Sequence, residues 1–281
     1  MIIGVVGLGL IGGSMAKSLK KRTSHSVLGT DIQKSIVEKA LKVQAIDAEL
    51  SFEKLADCDI LFLALYPQQT VDYLSQNIER IKKGTIVLDL CGVKEKICQQ
   101  IEPFVQDRDF CFIGAHPMAG REISGFDASL DSLFINASMV LTPLTGTPQK
   151  VIQTVQTLCY QIGFSSTPVA TPREHDRLIA FTSQLAHIVS SSYIKSPTAS
   201  EHIGFSAGSF KDLTRVAKLD ETMWTELFLD NKESLLFEIK TIIGHLTDYQ
   251  NAIEMENAEI LKKLLKEGSD RKKWIDQVKS V

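Results

Sequence analysis

The hexapeptide GLGLIG, Gly7 to Gly12, constrains this chain more than any other stretch. It has the pattern GxGxxG, follows the apolar run IIGVV and opens a segment of helical character, GSMAKSLKK. An acid, Asp31, closes the next apolar run. Strand, glycine turn, helix, strand and acid, in that order, is the context a dinucleotide-binding fingerprint requires. Gly7 permits the tight turn, Gly9 lets the backbone approach a pyrophosphate, and Gly12 lets the helix pack close to the strand. Leu8, Leu10 and Ile11 complete the same cofactor loop, whose N–H groups meet the phosphates beside the positive end of the helix. A carboxylate at Asp31 accepts hydrogen bonds from ribose hydroxyls and repels a 2′-phosphate. This favours NAD over NADP, although Lys34 is close in sequence. Asp31 as a helix N-cap is the plainer alternative, and the two roles are compatible.

Beyond the fingerprint, strands are expected at residues 2–6, 26–31, 59–65, 85–90, 110–114 and 137–142, and helices at 12–21, 32–43, 69–82 and 93–101. Repeated strand–helix–strand units with nearly continuous apolar strands indicate a mainly parallel sheet covered on both faces. One more unit adds a helix at 149–162 and a strand at 165–169. The expected architecture is an α/β Rossmann domain over residues 1–170 followed by an all-α domain over 171–281. In TPREHD, Thr171 is placed as an N-cap and Pro172 at the first helical position. Residues 178–194 contain no Asp, Glu, Lys or Arg, yet are too polar and slightly short for a membrane span. Ser183, Gln184, His187, Ser190 and Ser191 fall on one stripe of that helix, and Leu178, Phe181, Leu185 and Val189 on another. A helix without a charged face is normally buried on all sides, so this one is expected at a domain or subunit interface. Residues 222–265 read as one long or broken helix, with Phe228, Leu235, Ile239, Ile242, Leu246, Tyr249 and Ile253 spaced for a packing seam.

Composition narrows the function classes. The 281 residues suffice for two domains, and 44% hydrophobic with 23% charged residues is ordinary for a soluble globular protein. A net charge of −3 gives no reason to expect nucleic acid or an anionic membrane as partner. The five cysteines show no CxxC and no metal-ligand spacing, and Cys58, Cys111 and Cys159 lie in apolar runs. They read as small buried hydrophobes in a reducing cytoplasm, with no metal site expected. The first strand begins at Ile2 with no basic stretch before it, which argues against a signal peptide.

Ligands of an open α/β sheet bind beyond the carboxyl ends of its strands. Three strand ends are available: Leu65-Tyr66-Pro67, Asp89-Leu90-Cys91-Gly92 and Gly114-Ala115-His116-Pro117. Tyr66 and Gly92 are therefore candidate cofactor contacts, and His116 is the only histidine of the three ends. Its ordinary pKa of about 6.5 suits proton transfer near neutrality. A lone histidine is more often structural, but one held at a strand end by a following proline, on the cofactor side, is a candidate catalytic group.

Taken together, GLGLIGGS, the strand end at Asp31, the loop GAHPMAGREISG (114–125) and the segment FKDLTRVAKLDETMW (210–224) resemble the prephenate dehydrogenase family, which includes arogenate and cyclohexadienyl dehydrogenases of tyrosine biosynthesis. The resemblance covers nearly the whole chain in order, and the histidine loop with FKDxTR is far more specific than the glycines. It implies a homodimer formed through the helical domain. It also implies NAD-dependent oxidative decarboxylation of prephenate to 4-hydroxyphenylpyruvate, with His116 accepting the ring-hydroxyl proton as hydride passes to NAD. Arg215 matches the family's carboxylate-binding arginine; by itself it reads equally as an i, i+3 partner of Asp212. His187, with Ser183 one turn earlier, matches a second substrate-site histidine, where a satisfied interior histidine is the plain alternative. Trp224 matches a position near the site entrance, with core packing as its alternative. Arg121 and Glu122 are expected at the mouth of the loop, gating it or simply solvated. One departure stands out: many members carry a serine after the fifth strand, and Gly92 occupies that place, so a water or Cys91 would have to substitute.

Four readings follow. Prephenate as substrate leads. Arogenate, or dual specificity, comes next, and the uncharged stripe near His187, lacking an acid for an ammonium, leans away from it. A 3-hydroxyacid dehydrogenase would need Lys211 or Lys218 as its catalytic lysine and leaves HPMAG without a purpose. A non-catalytic NAD-binding sensor or scaffold is favoured by Gly92 alone. No regulatory ACT domain and no preceding chorismate mutase segment are expected, so tyrosine feedback is expected at the active site itself.

Overall fold

Apolar β-rich runs build the middle of the protein as seven strands. In the computed structural model, which describes residues 1–278, these are β1 (Ile2–Val6), β2 (Ser26–Thr30), β3 (Ala48–Glu49), β4 (Ile60–Leu63), β5 (Ile86–Asp89), β6 (Cys111–Pro117) and β7 (Met139–Pro143). Their order across the sheet is β3-β2-β1-β4-β5-β6-β7. All pairings are parallel except β6 with β7. Between the strands lie α1 (Leu10–Arg22), α2 (Lys34–Lys42), α3 (Pro67–Asn77), α4 (Glu95–Val105) and, after β7, α5 (Gln149–Gln161). This is the doubly wound α/β Rossmann arrangement, with its topological switch between β1 and β4, where ligand crevices form.

Strand alternation sorts the core onto two faces. Ile60 and Phe62 of β4 join one buried cluster with Ile3, Val5, Met15 and Leu19; Leu61 and Leu63 join the other with Val6, Val87, Ile97 and Phe112. Successive side chains of a strand point to opposite faces, so continuous apolar runs are the signature of a sheet covered on both sides.

Several expected boundaries move. The strand expected to end at residue 114 continues through Pro117, because the antiparallel ladder with β7 prolongs it; His116 pairs with Val140 inside that ladder. His116 is thus a strand residue rather than a loop residue. The strand expected at 165–169 makes only two isolated bridges with the β7 side, Ser138 with Ser166 and Leu141 with Val169. Pro168 lies between them and has no N–H to offer a ladder. The two-residue β3 was not foreseen. Asp31 is not the N-cap of α2, a place taken by Gln33, although its carboxylate accepts the Gln33 amide at 3.0 Å.

From Thr171 onward the chain is helical. Thr171 caps α6 (Pro172–Ile179) with Pro172 first, as the sequence indicated, and the cap is closed by a reciprocal capping box with Glu174. The charge-free segment then widens into a single π turn, Ala180–Leu185, before resuming as α7 (Ala186–Ile194). Its apolar side is only partly buried within the single chain: Leu185 is buried, whereas Leu178, Phe181 and Tyr193 are 49%, 58% and 45% exposed. Next come α8 (Gly208–Thr214) and α9 (Glu221–Asp230). The helix expected over 222–265 is broken twice. Asn231 separates α9 from α10 (Lys232–Glu254), and Glu256, with a left-handed φ of 48°, separates α10 from α11 (Ala258–Val278). Contacts divide the chain into two compact units, Met1–Lys232 and Glu233–Val281. The second holds most of α10 and α11. The first holds the sheet and every candidate site residue. Among the described residues no helix is long and apolar enough to cross a membrane.

Candidate active site

The glycine turn is built as its sequence requires. Gly7 has φ +83°, its amide donates to the Thr30 carbonyl at 2.9 Å, and a Cβ there would stand 2.4 Å from the Ala64 carbonyl oxygen. A Cβ on Gly12 would stand 1.8 Å from the Gly7 carbonyl oxygen, so helix and strand approach too closely for any side chain. At Gly9 the opposite holds: no protein atom comes within 4 Å of a Cβ position. Gly9 is also the N-cap of α1, and no side chain caps that helix. Open space above a glycine at an uncapped helix N-terminus is a cradle that fits a pyrophosphate. Leu10 and Ile11 begin the helix there, whereas the Leu8 side chain is buried in the core. The Leu8 amide donates to Asp31 at 2.8 Å, so it serves the turn rather than facing outward. Tyr66 caps α3 and is exposed; burial of part of its ring, with Asp220 and Glu226 nearby, pushes its phenol pKa up.

His116 sits half-buried near the end of β6. Its Nδ1 lies 2.9 Å from Nε2 of His175, and Nδ1 of His175 lies 2.7 Å from Oδ1 of Asp176. His175 and Asp176 are buried in the first turns of α6. The Asp176 carboxylate also accepts the amides of Lys94 and Glu95, each at 2.8 Å, at the start of α4. Beneath them Lys94 and Asp89 form an ion pair with both side chains 0% exposed. Asp89 further accepts the amides of Ala115 (3.2 Å) and Cys91 (3.1 Å), tying β5 to the strand that carries His116. Burial, then the neighbouring His175, then Lys94 hold the His116 pKa well below its ordinary value, so the ring is neutral at pH 7. Burial also lowers His175, with the Asp176 carboxylate pulling the other way.

Gly92 faces this histidine. A Cβ at Gly92 would lie 4.0 Å from Nε2 of His116 and 3.4 Å from a methyl carbon of Leu227. Cys91 does not substitute for a hydroxyl there. Its thiol donates to the Leu65 carbonyl (3.3 Å) and lies 3.4 Å from the Thr70 hydroxyl.

The helical side gathers a second group. Within the π turn, the Ser183 carbonyl accepts the Nδ1–H of His187 at 2.8 Å, so Ser183 contributes its backbone here. Such turns recur at functional positions. The His187 ring lies on Trp224 of α9, with centroids 4.0 Å apart and planes tilted by 33°. Burial lowers the His187 pKa, opposed by the Ser183 carbonyl, and Arg215 and Glu122 are close enough to act on its charge. Arg215 pairs with Glu122 at 2.9 Å, not with Asp212, and both partners are exposed. Arg121 donates instead to the Ala128 carbonyl at 2.9 Å. The loop's Arg-Glu pair is thus divided between two partners rather than merely solvated.

One helix joins the two groups. Trp224 and Leu227 lie three residues apart on α9 and so share a face, one against His187 and the other against Gly92. Gln184 donates to the Leu227 carbonyl (2.9 Å), and Asn231 donates to Gln184 and to the Asp176 carbonyl, each at 2.8 Å. His175, Asp176, Asp89 and Lys94 were missed in the sequence. The HD of TPREHD passes for ordinary first-turn polarity, and the one hint is that the capping box leaves Asp176 without a task. Among the described residues no cluster of three or more His, Cys, Asp or Glu side chains could hold a metal ion.

Residues 15–166 match the family model for the nucleotide-binding domain of prephenate dehydrogenase, and residues 171–267 match its dimerization domain. The chain belongs to the prephenate dehydrogenase family. It is an oxidoreductase by that membership, and the match displaces the 3-hydroxyacid dehydrogenase reading. The chain is 30% identical over 275 residues to prephenate dehydrogenase of Bacillus subtilis, covering 95% of this chain and 74% of that one. It is 29% identical to the Aquifex aeolicus prephenate dehydrogenase solved with hydroxyphenyl propionate and NAD+, with a TM-score of 0.84 over 98% of each chain. Synechocystis arogenate dehydrogenase is also 29% identical, with a TM-score of 0.82 over 98% of this chain and 100% of that one.

Proposed function

We propose that this protein catalyses the NAD-dependent oxidative decarboxylation of prephenate to 4-hydroxyphenylpyruvate, with His116 as the proton acceptor. The observation that carries the reading is the placement of His116. It is fixed in a strand ladder, kept neutral at pH 7, and turns Nε2 toward Gly92 at the carboxyl end of β5, where cofactors of this fold lie. The backbone of Gly7–Gly12 would hold the pyrophosphate, Asp31 the adenosine ribose, and Tyr66 and Gly92 would flank the nicotinamide end. NAD, when bound, supplies the hydride acceptor.

The residues divide the remaining work. Arg215 exchanges Glu122 for a substrate carboxylate, for which its planar fork is suited. His187 offers Nε2 to the substrate, since Nδ1 is committed to Ser183, and Trp224 holds the ring in place. His116 accepts the ring-hydroxyl proton at Nε2 as the carbon bearing that hydroxyl loses hydride. The ring carboxylate leaves as carbon dioxide, its bonding electrons complete the aromatic ring, and His116 returns its proton to the phenolate oxygen. We assign nucleotide binding to residues 1–170 and substrate binding and homodimerisation to the helical part from 171. The exposed apolar side of α6 and α7 supports a partner subunit there. We place the enzyme in the cytoplasm and tyrosine inhibition, through its similar ring, at the substrate site.

A second reading, arogenate, has one observation behind it. Glu122 stands near His187 although the helical stripe itself carries no acid, and a carboxylate there suits the ammonium of that substrate. Purified protein with NAD and either prephenate or arogenate, followed by NADH absorbance, separates the two. Turnover is expected with prephenate, and His116→Asn should lower kcat by about 10²–10⁴-fold. Binding of NAD with turnover of neither acid would leave the sensor reading in its place.

A further inference from the structure

Two contacts link Asp176, His175 and His116, and together they fix where the protons lie. A carboxylate has no proton to give, so at 2.7 Å the hydrogen between Asp176 and His175 belongs to Nδ1 of His175. A neutral His175 then has a bare Nε2. The 2.9 Å contact with His116 can be filled only by a proton on Nδ1 of His116. That leaves Nε2 of His116 without a proton, and Nε2 is the atom facing Gly92. We propose that His175 and Asp176 are positioning residues that hold His116 in its Nδ1–H tautomer, so that Nε2 is always presented as an acceptor.

The surroundings favour this assignment. His175 of α6 and Lys94 ahead of α4 act on His116, and Asp176 of α6, Lys94 and Asp89 of β5 act on His175. Lys94 and Asp89 neutralise each other as an ion pair. Asp176 remains as the anion aligned with the two rings, and its carboxylate is held by the Lys94 and Glu95 amides while Asn231 holds its carbonyl. Resting on the proposed reaction, the same chain gives the accepted proton somewhere to go. A proton arrives at Nε2 of His116, the Nδ1 proton passes to Nε2 of His175, and the resulting imidazolium lies against the Asp176 carboxylate. Two protons move one position each, and no charge is left uncompensated.

The plainer alternative is that these residues only pin α6 to α4. Nitrogen-labelled protein distinguishes the two through long-range proton–nitrogen spectra of the histidine rings at pH 7, taken on the wild type, His175→Gln and His175→Leu. The wild type is expected to show His116 protonated at Nδ1. The Gln variant keeps that tautomer, because its side-chain oxygen still accepts from Nδ1, while the Leu variant shifts His116 toward Nε2 protonation. In turnover, kcat should fall about tenfold or more in the Gln variant, which cannot take a proton, and about 10²–10⁴-fold in the Leu variant, with KM for NAD nearly unchanged. His116 protonated at Nε2 in the wild type overturns the proposal, as does a Leu variant with altered melting but wild-type kcat. Absence of turnover in the wild type with either substrate would remove the proposed reaction, while the spectra alone still uphold or overturn the tautomer.

Discussion

Replacing Asp89 by Asn tests the ion pair beneath the site. Both side chains of the Asp89–Lys94 pair are 0% exposed, so the variant leaves an ammonium in the interior with no counter-charge. Breaking such a pair from one side costs about 3–5 kcal/mol. Asn also has one acceptor where Asp89 serves both Ala115 and Cys91, which places the expected cost at the upper end of that range. At about 2–4 °C per kcal/mol, the melting temperature should fall by about 8–20 °C. Urea titration at pH 7 measures the free energy, and the double variant Asp89→Leu with Lys94→Met supplies the control. The double should be more stable than Asp89→Asn, because no buried charge is left unpaired. The pH dependence has a definite sign. Burial opposes the Lys94 charge, but Asp89, together with the nearby Cys91 and Cys98, outweighs it and raises the pKa above the ordinary 10.5. The stabilisation that comes from Lys94 ionisation is therefore complete below its ordinary pKa of 10.5 and is lost as pH rises through the raised value. A single variant within about 1 kcal/mol of wild type, or a double no more stable than the single, would refute the reasoning.

Four further expectations follow. Gly9→Ala should melt within a few degrees of wild type, since nothing lies within 4 Å of its Cβ, yet bind NAD more than about tenfold weaker by calorimetry. Gly12→Ala, whose Cβ meets the Gly7 carbonyl, should lose about 3 kcal/mol or more and fail by circular dichroism before binding is asked. Ser190→Ala should be neutral or stabilising by up to about 1 kcal/mol in thermal melts, because the Ser190 hydroxyl is buried with no partner among the described residues. His116 and His175 both have lowered pKa values, so the unfolded chain binds more protons than the native one below pH 6.5. Unfolding free energy should fall as pH drops from 6.5 through the folded values, and less steeply in His175→Gln.

The sheet was legible because five of its strands are apolar runs of four to seven residues that must be buried on both faces. The segment expected as a strand at 165–169, Ser-Ser-Thr-Pro-Val, lacks that apolar run, and Pro168 has no N–H for a ladder, so it makes isolated bridges only. The π turn at Ala180–Leu185 is a local slip of hydrogen bonding that leaves no mark in residue types. Of the site, His116 and the glycines could be read because turn geometry and strand ends demand particular residues. Asp89 and Lys94 could not. They meet across a bend, five positions apart, at a spacing that belongs to neither helix nor strand, and only tertiary packing makes them neighbours. The Glu122 partner of Arg215 lies 93 residues away, where the sequence offered the nearby Asp212.

Mounting His116 in the β6–β7 ladder also sets what descent can alter. A one-residue slip of β6 would turn the imidazole to the opposite face of the sheet, so no gradual series of changes leads away from its position. Ser183, His187 and Trp224 stand on helices and Arg215 at the end of one, where side chains can be exchanged one at a time without disturbing that ladder. Under the roles proposed above, substrate preference is the trait that single substitutions can retune across a lineage, and the proton acceptor is the one inherited whole.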